Sequence, residues 1–424
     1  MLLCPKRKMT KSINYANLVV IIVLSCRLTK ASREKQKKNK YMLDRGFTSP
    51  QTTPRSTSSK AEIGRLGSLP VMNGGNGTYS YAKNSTLQRK LANAVREKID
   101  EAIAEKLDME TLCSSGKSFH IADFGCSTGP NTFIAMQNIL ESVERKYKSQ
   151  CPTSQIPEFQ VFFNDQASND FNTLFTTLPL DRQYFVAGVP GSFHGRLFPD
   201  SSLHFAYSST ALHWLSKVPE ELLDKNSPSF NKGRIYYSNT LDTVVDAYSS
   251  QFAKDMEIFL DARAKELVAG GMLVMMMPGQ PNGIPCCQTG VGMMIDYLES
   301  CFLDMVNEGI ISEAKVDSFN LPMYSATLEE MKELIQRNGS FNVEKMELTT
   351  ANGESNPQSY SSYSGRILQM HLRAGIEEII SKHFGTEIID DFFDRYAMKA
   401  EDFSRRLQSS ERKGALLFVV LKRK

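Results

Sequence analysis

Apolar residues recur three and four apart from Leu87 onward, with Leu87, Leu91, Val95, Ile99 and Ile103 on one side, and this spacing predicts a helix. Ser85-Thr86-Leu87-Gln88 at its start reads as a capping box, which accounts for Gln88 by local structure alone. The glycine-rich run from Met72 to Gly77 just before it predicts a flexible lead-in. Phe119 to Phe124 then predicts a short strand, and Phe133, Met136, Leu140, Val143 and Tyr147 mark the helix after it. Further strands are expected at Glu158 to Asn164, Tyr184 to Val189 and Leu203 to Ser208. A helix from Gln251 to Val268 is expected to stop at Gly270-Gly271, a C-cap signal. The continuous apolar run Met272 to Met277 reads as a strand buried on both faces of a parallel sheet.

After Pro278 helices dominate. Val291, Met294, Leu298, Phe302 and Met305 share one helical face, and Thr327-x-x-Glu330 caps a helix that Gly339 stops. A strand is expected at Phe341 to Leu348, helices at Arg366 to Phe384 and Ile388 to Leu407, and a last strand at Ala415 to Leu421. The fold class is therefore α/β: a Rossmann-like sheet with an α-helical cap over its carboxyl edge. Three segments are expected: an N-terminal extension over 1–68, a first part of the core over 69–280, and cap segments with the final strands over 281–424.

Composition changes this picture mainly at the N-terminus. Residues 1–70 carry 15 Lys and Arg against 3 Asp and Glu, whereas the remaining 354 residues carry 35 against 44. The acidic body has no basic face in its sequence, so nucleic acid is not an expected partner. Residues 18–24 form an apolar run between basic stretches, as in a signal peptide, but far short of the roughly 20 residues that span a membrane. A targeting segment, an interaction tail, and an upstream start unused in the cell all fit residues 1–68. The eight cysteines show no CxxC pair or regular spacing, which points to a reducing compartment and a cytoplasmic protein, with plastid or secretory targeting left to the extension. The Asn-x-Ser/Thr triplets at Asn76, Asn84 and Asn338 then read as chance.

The chemistry concentrates in Ile121 to Asn131, a strand, a glycine turn and a helix start, where an α/β sheet holds an adenosine-type ligand. Gly125 is followed by Cys126 and Ser127 before Gly129, so the phosphate-cradling G-x-G-x-x-G is not met. That favours a nucleoside without phosphate, of which S-adenosyl-methionine is the commonest, over a nicotinamide dinucleotide. Asp165, at the end of the second strand, is placed to accept both ribose hydroxyls. No Ser-His-Asp order or zinc spacing is present.

Beyond these elements, MNGG and SYAKNS within 72–85, IADFGCSTGPN at 121–131, NDFNTLF at 169–175 and PGSFHGRLFP at 190–199 follow one another along the chain. HWLSKVP at 213–219, NKGRIY at 231–236 and DSFNLP at 317–322 complete the series. Together they resemble the plant SABATH methyltransferases, the salicylate, benzoate, jasmonate and theobromine group, over about residues 69–424. The wording of IADFGCSTGPNTF and AMQN is nearest to the loganic-acid-methylating branch.

The resemblance implies an S-adenosyl-methionine-dependent class I methyltransferase that converts a small-molecule carboxylic acid to its methyl ester, and often a homodimer. It implies cofactor contacts from Tyr81, Cys126, Asn131, Asp165, Gln166, Ser192 and Phe193, and an acceptor site from Gln88, Thr210, His213 and Trp214. Thr210 and His194 stand where relatives often have Tyr, and Gln166 where many have Leu. A Mg2+ site is implied at Asn231, Asp317, Phe319 and Asn320, an oxygen-only set. Met293, Met294 and Phe319 are candidates for an apolar pocket wall. No catalytic base is expected, because a carboxylate is already ionised at neutral pH. An N-methyltransferase of a small heterocycle, which would call on His213 as base, and a non-catalytic receptor on the same scaffold are the alternatives.

Overall fold

In the computed structural model the described residues are 71–113, 118–350, 364–409 and 415–424, all within the unit Arg65–Lys424. The extension over 1–68 lies outside them. Among the described residues seven strands form one sheet: β1 (Ser118–Phe124), β2 (Glu158–Asp165), β3 (Phe185–Pro190), β4 (Leu203–Ser209), β5 (Leu267–Gly279), β6 (Phe341–Thr350) and β7 (Ala415–Arg423). Their order is β3-β2-β1-β4-β5-β7-β6. β1 to β5 pair in parallel, and β7 is inserted antiparallel between β5 and β6.

The helices are α1 (Tyr81–Asn84), α2 (Thr86–Ala94), α3 (Arg96–Lys106), α4 (Met109–Cys113), α5 (Pro130–Gln150), α6 (Phe171–Thr176) and α7 (Asp242–Glu266). They continue with α8 (Gly290–Asn307), α9 (Glu313–Asp317), α10 (Leu328–Asn338), α11 (Gly365–Phe384) and α12 (Ile389–Ser409). Burial on both faces explains why Met272 to Met277 does not alternate: Met272, Val274 and Met276 enter the core with α3 and α5, while Leu273, Met275 and Met277 enter the other core with α7. Each side chain fully removed from water contributes roughly 1.5–3 kcal/mol. α12 packs on α8 and α11 to make the cap.

Three local expectations give way to tertiary structure. Ser85 makes no side-chain cap bond; its hydroxyl and carbonyl instead accept the Asn131 amide at 3.0 and 2.9 Å, and the helix breaks at Val95. Gly270-Gly271 is not a C-cap. α7 already ends at Glu266, and Gly270, at φ +79°, takes up a register shift in the pairing of β4 with β5. The glycine-rich lead-in is tied down: the Asn73 amide donates to the Ala374 carbonyl at 2.9 Å, its side chain to Glu377 at 2.8 Å, and the Gly75 amide to Asp170 at 2.8 Å. It therefore straps cap helix α11 to the sheet layer. By contrast, the Thr327–Glu330 capping box forms with both its bonds, and Gly339 closes α10 at φ +72°.

Candidate functional site

The loops leaving β1, β2, β3 and β4 converge at the carboxyl edge of the sheet, below α8 and α11. They enclose a cavity of about 200 Å3. Gly125 makes the approach possible. Its φ is +86°, and a Cβ there would lie 2.3 Å from the Cβ of Ala211, so only glycine lets the turns after β1 and β4 touch. The Gly125 and Cys126 amides both donate to the Asn164 carbonyl, at 2.9 and 3.0 Å, and the Asn164 side chain donates to the Val189 and Gly191 carbonyls at 2.7 and 2.9 Å. The turns after β1 and β3 are thus joined through β2.

Asp165 follows in that web. Its Oδ2 accepts the Ser127 amide at 2.8 Å and its Oδ1 the Gln166 amide at 2.7 Å. Two carboxylate oxygens offer about four acceptor positions, so two stay open for ligand hydroxyls. Enclosure by protein pushes the carboxyl up to about 6, against the lowering effect of those two amides. Asp123, buried behind it, accepts the Thr132 hydroxyl and is pushed up to about 7 by burial; it stays inside the protein and ties β1 to α5.

On another side of the cavity the segment after β4 runs against residues 321–324. Trp214 bridges to Met323, the Tyr324 amide donates to the His213 carbonyl at 2.8 Å, and the Leu215 amide to the Pro322 carbonyl at 2.8 Å. His213 is buried, its Nδ1 has no partner, and desolvation pushes its imidazole down to about 4. At neutral pH it carries no charge. Among the described residues no Lys or Arg lines the cavity, and burial also lowers His371. The buried amide oxygen of Gln88 has no partner either, and Gln88 lines the cavity rather than closing a capping box.

The structure brings Tyr81, Asp165, Gln166 and Phe193 together with Gln88, Thr210, His213 and Trp214 in this one cavity. Cys126, Asn131 and Ser192 stand apart from its lining. Cys126 is buried in the core with its thiol toward the Ser127 carbonyl, Asn131 bonds Ser85 and Arg89, and the Ser192 hydroxyl accepts the His194 amide at 3.4 Å. Met294 lines the cavity; Met293 does not, and Phe319 packs instead against Phe302 and Phe384. Sequence reasoning missed His371, Leu372 and Ile376 on α11 and Leu416 on β7. They join the site only through the tertiary fold, about 280 to 330 residues after Gln88 in the chain, and no local signal marks them.

Asn231, Asp317, Phe319 and Asn320 lie outside the cavity lining, and the buried Asn320 amide nitrogen has no partner. The Asn231 amide donates to Asn320 Oδ1 at 2.7 Å, Thr240 donates to Asn231 Oδ1 at 3.1 Å, and Asp317 accepts the Gly233 amide at 2.8 Å. The donor chemistry is that of a hard cation, yet the amide oxygens are already occupied by hydrogen bonds. Among the described residues no group of three or more His, Cys, Asp or Glu is placed to hold a metal ion. No step is assigned to a metal ion.

A seven-stranded sheet in this order, with a glycine turn after β1, an acid at the end of β2 and a helical cap above, defines the class of S-adenosyl-methionine-dependent methyltransferases. Residues 68–424 match the family described as SAM dependent carboxyl methyltransferase. A loganic acid O-methyltransferase of Catharanthus roseus is 47% identical over 356 residues, covering 83% of this chain and 94% of its own. A farnesoic acid carboxyl-O-methyltransferase of Arabidopsis thaliana is 46% identical over 285 residues, covering 67% and 80%. The solved structure of a loganic acid methyltransferase with SAH superposes with a TM-score of 0.78 at 46% identity, covering 83% of this chain and 98% of that one. The chain belongs to the SAM-dependent carboxyl methyltransferase family.

Proposed function

We propose that this enzyme methylates the carboxylate of a small acid with a mainly apolar skeleton, with Gln88 and Trp214 holding the carboxylate and Asp165 holding the ribose of the cofactor. The observation that carries the reading is a cavity lined, among the described residues, by no Lys or Arg, in which Gln88 and the Trp214 indole lie among Leu87, Met294, Leu298 and Leu372. Neutral donors orient a carboxylate without quenching its nucleophilicity as a guanidinium would. The indole N–H and the Gln88 amide both donate.

The residues present fit S-adenosyl-methionine: Gly125 lets the backbone come close, Asp165 keeps two acceptor positions open, and Phe193 supplies an apolar wall. When bound, the cofactor supplies an electrophilic sulfonium methyl; the carboxylate oxygen forms the new O–C bond as the S–C bond breaks, leaving S-adenosyl-homocysteine. The protein contributes in-line positioning and exclusion of water by α8 and α11, an effect of roughly 7–11 kcal/mol where well realised. His213 takes no proton here: with its imidazole down at about 4 it is neutral, and the acid arrives already ionised. Its place beside Trp214, ring centres 5.6 Å apart, supports a role as a wall that fixes the indole.

The Asn231, Asp317 and Asn320 network supports the loop that carries residues 321–324, and through it the Trp214 segment. Its proposed role is structural. The five cysteines described are free, which supports a reducing, cytoplasmic setting, and among the described residues no helix is long and apolar enough to cross a membrane. Light scattering of the purified chain reads the homodimer that the family implies.

The deciding experiment incubates the protein with methyl-labelled S-adenosyl-methionine and a panel of plant acids, then treats the products with alkali. Label released as methanol is expected, from a methyl ester. Label that resists alkali overturns the reading in favour of nitrogen or ether methylation.

A further inference from the structure

We propose that the buried pair Arg263–Glu266 is a positioning device that sets the cofactor loop, beyond its part in stability. The segment 191–199 has no regular secondary structure, yet it carries Phe193 into the cavity wall. Four of its backbone groups end on this one pair. Arg263 Nη1 donates to the Phe193 carbonyl at 2.8 Å and Nη2 to the Gly195 carbonyl at 2.9 Å. Glu266 Oε1 accepts the Leu197 and Phe198 amides at 2.5 and 3.0 Å. The pair itself closes at 2.7 Å with both side chains 0% exposed. The guanidinium also lies over the Phe124 ring, 4.1 Å from its centre, and Phe124 is the residue just before Gly125. A single rigid fork therefore registers the loop after β3 against the end of β1, the two walls between which the adenosyl group is proposed to sit.

The chemistry explains the choice of residues. A buried ion pair adds little net stability over apolar residues of equal volume, because desolvation offsets the attraction. A planar guanidinium can instead address two carbonyls in fixed directions while its third nitrogen holds the carboxylate, which a lysine cannot do. Both partners sit at the end of α7, where the helix gives way to β5, so the loop is referred to the α7–β5 junction.

The proposal rests on the reading that Phe193 contacts the cofactor, and the test separates the two. S-adenosyl-homocysteine is titrated calorimetrically into the full chain and into Arg263→Met/Glu266→Met, which removes both buried charges together. The expected result is a Tm within about 3 °C of the parent, a dissociation constant weakened about tenfold, and a KM rise for the cofactor with kcat at saturation retained. Arg263→Lys, which keeps the charge and loses the fork, is expected to shift affinity the same way and serves if the double variant does not fold. Phe193→Leu weakens affinity too, and Arg263→Lys added to it is expected to cost little more. Unchanged affinity in Phe193→Leu removes the cofactor reading. Weakened affinity there, with full affinity in the Arg263 variants or simple additivity, overturns the positioning role alone.

Discussion

Asp165 accepts the Ser127 amide at 2.8 Å, so the acid that ends β2 also holds the turn that follows β1. The two sides of the proposed ribose site are therefore one hydrogen-bonded unit before any ligand arrives. Ser127 sits at φ +54° to make this bond, a conformation few non-glycine residues adopt.

Cofactor affinity is expected to depend on the charge of Asp165. Its carboxyl, raised by burial to about 6, accepts hydroxyls fully only when ionised. Affinity for S-adenosyl-homocysteine should hold above pH 7 and fall as pH drops through about 6. Asp165→Asn should bind about tenfold more weakly, with no such pH dependence. The raised value has the opposite sign for the empty protein: between the ordinary carboxyl value and about 6 the folded state keeps a proton that the unfolded chain has lost. This group's stabilisation is therefore lost as pH rises across that window. Calorimetry over a pH series checks both, and parallel profiles for parent and variant would remove Asp165 from the ribose.

Gly125→Ala should abolish cofactor binding, since the new methyl meets Ala211 at 2.3 Å and the backbone stands at φ +86°. Adding Ala211→Gly relieves the contact and leaves the backbone strain, of order 1–3 kcal/mol, so recovery should be partial. Binding assays and melting curves of the two variants test this, and a Gly125→Ala protein with parental affinity would sink it.

Trp214→Ala and Gln88→Leu should each lose methyl transfer by about a hundredfold or more while binding S-adenosyl-homocysteine within about twofold of the parent. Loss of cofactor affinity in either would move that residue to the other half of the cavity.

Removal of divalent cations should leave turnover intact, because the oxygens of Asn231 and Asn320 are engaged within the protein. Asn231→Ala should cost about 1–3 kcal/mol of stability by stripping partners from a buried network. A chelator that lowers both Tm and rate, reversed by Mg2+, would instead establish a bound ion.

The sheet was largely legible because its signals are short-ranged and strong. Met272 to Met277 could only be a strand covered on both faces, and Thr327 with Glu330 satisfies its helix end from within four residues. Of the site, the sequence itself marked Gly125 and Asp165, since a glycine turn and an acid sit at strand ends. The remainder depends on pairings that cross the fold. Ser85 looked like a cap residue until Asn131, 46 positions on, took its oxygen. Gly270 looked like a helix stop, whereas its positive φ serves a bulge in β5. Gln88 had a sufficient local explanation and proves to face the cavity, and His371 had no local signature at all.

The place of β7 bears on how the protein comes into being. This strand, latest in sequence, wedges between β5 and β6, pairs with both along most of its length, and brings Ala415 and Leu416 to the cavity wall. During synthesis every other strand of this sheet leaves the ribosome first, so the gap between β5 and β6 stays open until Ala415–Arg423 emerges. Premature termination would therefore leave two unzipped strand edges and an unwalled cavity, a species for chaperones and proteases rather than a weakened enzyme.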